Sequence, residues 1–412
     1  MNLSFAELPE RCDVLVVGSG PAGSAAATKL ARAGWDVVMV DQRKFPREKV
    51  CGDGLIPDSH AAVRELGVLD EVMSKAQSVS HVRCTGPRGA SVDVPGTLAV
   101  LPRRELDEIL CRNAVSQGAR MFAPVHFDAP LLDDAGRVIG ASVSSAGVTR
   151  QIAARWVILA SGAVRKALLA AQMCERQVPG GIALRGYVKN DAMRERITKM
   201  EIVWHRKLRP GYGWIFPCGD GVFNIGVGVF DMHAKAKDGR HVMEDVNLRQ
   251  LFQDFCQFHT PARELMADGV MQGSLKGAPL RCSLRGAKFA RPGLLVTGEA
   301  AGSTYAFTGE GIGKAMETGM LAAKALQQQS DQQWDDEACC QFYASSMADL
   351  LPRFKPYERA NQVNAHPWLV DLLIWRAQKS ERLVQRMSGV LNETANPGQL
   401  FTARGIYKLF TE

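Results

Sequence analysis

The sequence predicts an α/β protein: a parallel sheet with helices, a second antiparallel sheet, and a helical C-terminal region. Three observations carry this. An apolar β run enters a glycine-rich turn and then a helix of small residues close to the N-terminus. A second strand-to-helix passage rich in glycine lies near residue 300. Between them, residues 176–284 break into short β-type segments separated by glycine turns.

The first passage reads CDVLVVGSGPAGSAAATKLARAG. Val14 to Val17 are apolar without alternation, as a strand covered on both faces requires. Gly18, Gly20 and Gly23 follow at the Gly-x-Gly-x-x-Gly spacing, with Pro21 and Ala22 inside the turn. The first glycine permits a tight turn, the second lets backbone approach a pyrophosphate, and the third lets helix and strand pack closely. The helix start offers free N–H groups and partial positive charge to phosphates. A second strand, WDVVMVD, ends at Asp41, 18 residues past Gly23, where a ribose-binding acid belongs. Strand, glycines, helix, strand and acid in this order predict a Rossmann-type dinucleotide-binding unit.

LPRRELDEILCRNAVSQGARM predicts an amphipathic helix with Leu106, Ile109, Leu110 and Ala114 on one face and Arg103 at its start. RWVILASGA is a further buried strand with Gly162 at its C-terminal end, where open α/β sheets place ligands. Leu294 to Val296 form another, followed by Gly298 and Glu299 and then by Gly309, Gly311 and Ile312 at a helix start. The cofactor domain is expected in three pieces: residues 1–77, 101–175 and 285–330. Residues 78–100 and 176–284 form the expected substrate domain, and 331–412 a helical region. That region contains Trp334, Trp368 and Trp375, and HPWLVDLLIWRAQKSERLVQRM mixes apolar residues at helical spacing with Arg376, Lys379, Arg382 and Arg386; a cap packed on the cofactor domain is preferred over a helix lying on a membrane.

Composition narrows the function classes. The 412 residues carry a net charge of +7, scattered rather than blocked, with no aromatic-interleaved basic module, so nucleic acid is not an expected partner. None of the ten cysteines forms a Cys-x-x-Cys pair, so no metal site is expected. The N-terminus lacks a secretory h-region, which predicts a cytoplasmic location and no structural disulfides. No apolar run approaches the ~18 residues of a membrane span.

The set of GSGPAGSAAA, Arg103-x-x-Leu106-Asp107, Gly162 and GEAAG…TGEGI resembles the FAD flavoproteins built like aromatic hydroxylases. Within that group, KVCGDGL and YGWIFP resemble the geranylgeranyl reductase branch. Flavin-dependent halogenases carry Trp-x-Trp-x-Ile-Pro at the latter place; here Tyr212 and Phe216 stand instead, which favours the reductases. The resemblance implies FAD held by Gly18, Gly20, Pro21, Ala22, Gly23, Asp41, Gln42, Cys51, Gly52, Arg103, Val125, Gly298, Glu299, Gly309, Gly311 and Ile312. It places Cys51 beside the flavin ring, either as a proton donor or as a small soft residue leaving room for substrate. Tyr212, Trp214 and Phe216, with Tyr187, are expected to wall an apolar substrate cavity, whereas Trp204 reads as sheet core. The implied activity is reduction of carbon–carbon double bonds in an isoprenoid or polyene-like substrate, with NAD(P)H or a separate reductase supplying electrons. The alternative is a flavin monooxygenase, a hydroxylase before a halogenase, acting on an aromatic or carrier- or protein-bound substrate. Expected partners are a hydrophobic small molecule or lipid, a peripheral membrane contact and a partner reductase.

Overall fold

The computed structural model describes residues 2–175, 178–230, 246–328 and 335–398. Trp334 lies outside them. The chain runs β1 (Arg11–Val17), α1 (Pro21–Arg32), β2 (Val37–Val40), β3 (Gly54–Leu55), α2 (Pro57–Glu65), α3 (Leu69–Lys75), β4 (Gln77–Thr85), β5 (Ser91–Val100), α4 (Arg103–Ser116) and β6 (Arg120–Phe122). It continues through β7 (His126–Leu132), β8 (Val138–Ser145), β9 (Val148–Leu159), α5 (Lys166–Ala170), β10 (Gly181–Lys189), β11 (Met200–Val203), β12 (Gly211–Pro217) and β13 (Val222–Val229). Next come α6 (Leu248–Phe258), α7 (Thr260–Ala267), β14 (Val270–Met271), β15 (Lys276–Leu280), β16 (Ala290–Arg291), β17 (Leu294–Val296) and α8 (Ile312–Gln327). The last described helices are α9 (Asp336–Ala360), α10 (Gln362–Ala365), α11 (Trp368–Ala377) and α12 (Glu381–Leu391).

The first sheet has the order β16-β17-β9-β1-β2-β6. β1 sits at its centre, parallel to β2 on one side and β9 on the other. That placement explains the unbroken apolar run: Val14, Leu15 and Val16 have no exposed surface, being covered on both faces. α1 packs on β1 and β2, and α4 and α8 pack against α1. The antiparallel hairpin β7–β8, which joins β9, has no counterpart in the sequence-based expectation.

The second sheet has the order β14-β10-β13-β12-β11-β4-β5-β3, with β15 on β10. It is not purely antiparallel: β11 pairs with β4 in parallel, so residues 77–100 join residues 181–229 through a parallel seam. α6 packs behind it, Phe255 filling the space that Gly213 leaves open on β12.

The C-terminal helices do not form the one cap on the first sheet that the sequence led us to expect. α9 does lie on that side, with Tyr343 donating its hydroxyl to the Val296 carbonyl at 2.8 Å. α11 and α12 instead cover the second sheet, burying Val370, Leu373, Ile374 and Leu383 against Val79, Val92, Val94 and Leu98 of β4 and β5.

Candidate functional site

The site begins at the C-terminal end of the parallel sheet, in the turn from β1 to α1. Gly18 has φ of 98°, and a Cβ there would lie 2.4 Å from the Ala160 carbonyl oxygen. A Cβ on Gly23 would lie 1.8 Å from the Gly18 oxygen. Any side chain at either position breaks the turn. Gly20, the N-cap of α1, is different. The nearest atoms to a Cβ there are guanidinium nitrogens of Arg47 at 3.4 Å and Arg103 at 3.8 Å. Bare backbone at a helix N-terminus, faced by two cations, suits a diphosphate.

Both arginines are set by acids. Arg103 donates from Nε to Asp107 Oδ1 at 2.6 Å and from Nη2 to Oδ2 at 2.9 Å, one turn apart on α4. Arg47 donates to Asp107 Oδ2 at 2.9 Å and pairs with Asp41 at 3.4 Å. Burial works against charge on Arg103, but the Asp107 carboxylate outweighs it and keeps the guanidinium protonated. Asp41 accepts from the amides of Ser19 and Arg43, while its carbonyl accepts from the Val125 amide at 2.7 Å. Gln42 is exposed beside it.

Lys49–Leu55 crosses from this cradle to the second sheet. The Cys51 thiol lies beside the Arg103 guanidinium. Burial pushes the thiol up from its ordinary range, with Arg103 pulling the other way, so Cys51 holds its proton at neutral pH. Gly52 faces the aromatics: a Cβ there would lie 3.1 Å from Phe216 and 3.7 Å from Trp214 Nε1. Asp53 is fully buried, with φ of 66°. Its carboxylate accepts from the Arg103 amide at 3.2 Å, the Tyr187 hydroxyl at 2.5 Å and Asn224 Nδ2 at 2.7 Å. Burial nonetheless raises Asp53 to about 6, against the pull of those donors and of Arg185.

Tyr212, Trp214 and Phe216 alternate along β12 and so share one face. The Tyr212 hydroxyl donates to the Thr308 carbonyl at 2.5 Å, and its ring stacks on Phe230 with centroids 5.2 Å apart. Trp214 donates from Nε1 to Asn224 Oδ1 at 2.9 Å. β13 sets Gly226 opposite Trp214 and Gly228 opposite Tyr212. A Cβ on Gly226 would come within 2.4 Å of the indole, so the GVGV run is the space the aromatics occupy. Tyr187 stands apart from this row, on β10, with Arg185 lying 4.2 Å over its ring. Trp204 is core, as its sequence context predicts: it is 7% exposed, and its Nε1 donates to Asn364 Oδ1 at 2.8 Å.

The second glycine passage closes the cradle. A Cβ on Gly298 would lie 2.6 Å from that of Ala22, so the two turns interlock. Glu299 pairs with Lys49 at 3.5 Å. A Cβ on Gly309 would lie 3.0 Å from the Tyr212 hydroxyl, Gly311 caps α8, and Ile312 is its first, buried residue. Between them Glu310 is pushed up to about 8, first by burial and then by the Asp58 and Glu393 charges.

Sequence reasoning did not assign Arg47, Asp53, Arg185 or Asn224. A signal exists for two of them. Arg185 and Asn224 are single polar residues inside apolar β runs, IALRGYV and VFNIGVGV, and a buried polar side chain needs a partner.

The FAD binding domain family matches residues 11–258. The menaquinone reductase of Mycolicibacterium smegmatis is 35% identical over 77% of this chain and 76% of that protein. Digeranylgeranylglycerophospholipid reductase 2 of Methanopyrus kandleri is 28% identical over 76% of each. Among solved structures, a geranylgeranyl bacteriochlorophyll reductase-like protein from Thermoplasma acidophilum gives a TM-score of 0.72 at 22% identity, over 98% of this chain and 96% of that one. The flavin-dependent brominase Bmp2 also gives 0.72, at 18% identity over 97% and 98%. These two likenesses are of fold.

Fold, cradle and family match define an FAD-dependent oxidoreductase. The chain belongs to the flavoprotein family that includes the geranylgeranyl reductases. The residues present fit FAD: a side-chain-free backbone at Gly20 for the diphosphate, two guanidinium groups beside it, and a carboxylate at the end of β2.

Proposed function

We propose that this protein reduces carbon–carbon double bonds of an isoprenoid substrate, such as the prenyl chain of a quinone. The observation that carries it is the meeting at Cys51–Gly52: the cofactor cradle lies on one side, through Arg103, and the apolar row of Phe216, Trp214 and Tyr212 on the other. The relatives named as reductases of menaquinone and of a prenylated phospholipid support the substrate class.

Gly18, Gly20, Gly23, Arg47 and Arg103 would hold the diphosphate, Asp41 the ribose, and Gly309, Gly311 and Ile312 the ring edge. Bound and reduced, FAD supplies hydride. The chain's own residues do the rest. The aromatic row lays an alkene across Gly52, where no side chain intervenes. Cys51 presents a protonated thiol at the reacting face, and the proton passes from Sγ to the carbon that has not received hydride. NAD(P)H or a partner reductase restores the electrons.

The test uses the FAD-loaded protein, reduced without oxygen and mixed with a detergent-dispersed prenylquinone. After the quinone head group has been chemically reoxidised, mass spectrometry should show a product that keeps two added hydrogens in its prenyl chain. A product that gains oxygen once air is admitted, with none reduced beforehand, overturns the reading in favour of a monooxygenase. Cys51→Ala should retain FAD and lose about 100-fold in reduction rate, the lower range for a lost general acid. A loss below about threefold would leave Cys51 a space-making residue only.

A further inference from the structure

α11 is apolar on two faces. Its inner face buries Val370, Leu373, Ile374 and Ala377 in the cluster that contains Tyr212, Trp214 and Phe216. Its outer face carries Trp368, 61% exposed, and Trp375, 46% exposed. Seven residues apart, they lie two turns from each other on one side of the helix, with the half-buried Leu372 between. A surface helix of a water-bound protein is expected to be polar on that side. No other tryptophan among the described residues is exposed to this degree.

The charges around this face have one sign in excess. From His366 to Leu391 the basic residues are Arg376, Lys379, Arg382 and Arg386, against Asp371 and Glu381. Asp371 is already engaged, accepting from the Arg88 amide at 3.1 Å and pairing with the Arg88 side chain at 3.8 Å. The Lys379 ammonium lies 4.7 Å from the Trp375 ring centroid, at the end of the aromatic stripe. The next acid, Glu393, turns inward to Lys314 at 2.5 Å.

We infer that α11 and the start of α12 dock on an anionic lipid bilayer. Trp368 and Trp375 enter the boundary between headgroups and acyl chains, where amphipathic indoles are most favourable. Arg376, Lys379 and Arg382 meet the lipid phosphates. α11 then stands with one face in the membrane and the other on the aromatic wall of the site. A substrate chain leaving the bilayer would have roughly one helix diameter, about 10 Å, to travel. The use of this surface rests on the hydrophobic-substrate reading; its existence does not.

The experiment is co-sedimentation of the FAD-loaded protein with vesicles of phosphatidylcholine alone or mixed with phosphatidylglycerol. Binding to the anionic vesicles, weakened by high salt, is expected. Trp368→Ser with Trp375→Ser should lower that partition at least tenfold while leaving FAD absorbance unchanged. Arg376→Gln with Lys379→Gln and Arg382→Gln should remove the preference for anionic lipid while leaving the tryptophans in place. Equal binding by wild type and both multiple variants overturns the inference. So does a tryptophan-dependent dimer in solution that ignores vesicles, which would assign the face to a second copy. Vesicle binding without alkene reduction would sink the functional reading alone. Alkene reduction in detergent without vesicle binding would sink the docking surface alone.

Discussion

Asp53 is the residue where backbone, charge and site meet. It adopts a left-handed φ, has no exposed surface, and receives three donors. Because every neighbour donates, Asp53→Asn is isosteric but wrong: its amide N–H2 must face one of them. The expected cost is about 1–3 kcal/mol, read from denaturant unfolding. The same group makes stability depend on pH. Its folded value, about 6, lies above the ordinary carboxylate value near 3.8, so the unfolded chain releases its proton first. Stability from this group therefore falls as pH rises between those values and is level above them. Thermal unfolding of the wild type between pH 4 and 7 should contain that decline, and the variant should lack it.

At the scale of elements, the two glycine turns divide by what surrounds them. Gly23 is pressed against the Gly18 carbonyl, whereas Gly20 faces only arginine side chains. Gly23→Val should therefore prevent folding. Gly20→Val should fold with unchanged secondary structure by circular dichroism and purify without FAD. A Gly20→Val protein that keeps full FAD absorbance would remove the diphosphate from this turn. At the start of α8, Lys314 is buried between Asp58 at 2.9 Å and Glu393 at 2.5 Å. Lys314→Met leaves those carboxylates without their cation, close to Glu310. A loss of about 3–5 kcal/mol in unfolding free energy is expected.

At the scale of the molecule, the C-terminal helices join what the two sheets would leave apart. Asn364, fully buried, accepts from Trp204 of the second-sheet side and donates to the Phe307 carbonyl at 3.2 Å, in the loop before α8. Asn361 donates to the Phe230 carbonyl at 2.7 Å. Asn364→Ala orphans the Trp204 indole N–H. It should cost about 1–3 kcal/mol, with FAD retained and the KM for a prenyl substrate raised more than kcat is lowered. An unchanged KM would show that this junction does not hold the aromatic wall.

The parts of the site legible in the sequence are those made by neighbours in the chain. The β1–α1 turn was readable because backbone sterics act over a few residues, and Gly18, Gly20 and Gly23 carry that requirement in their spacing. Tyr212, Trp214 and Phe216 were readable as one face because a strand alternates with period two. Asp53 sat in plain view in KVCGDGL, yet its importance comes from Asn224 and Tyr187, more than 130 positions away. No local pattern encodes such a partner.

The sequence by itself determined a dinucleotide-binding turn, which follows from short-range geometry, while FAD and the aromatic wall were implied by the resemblance of its motifs to a family. Tertiary structure alone decided that β11 pairs with β4, that Asp53 gathers three donors, and that α11 keeps Trp368 and Trp375 outside. These outcomes depend on which surfaces compete for burial once distant segments come together, and that competition is settled only in three dimensions.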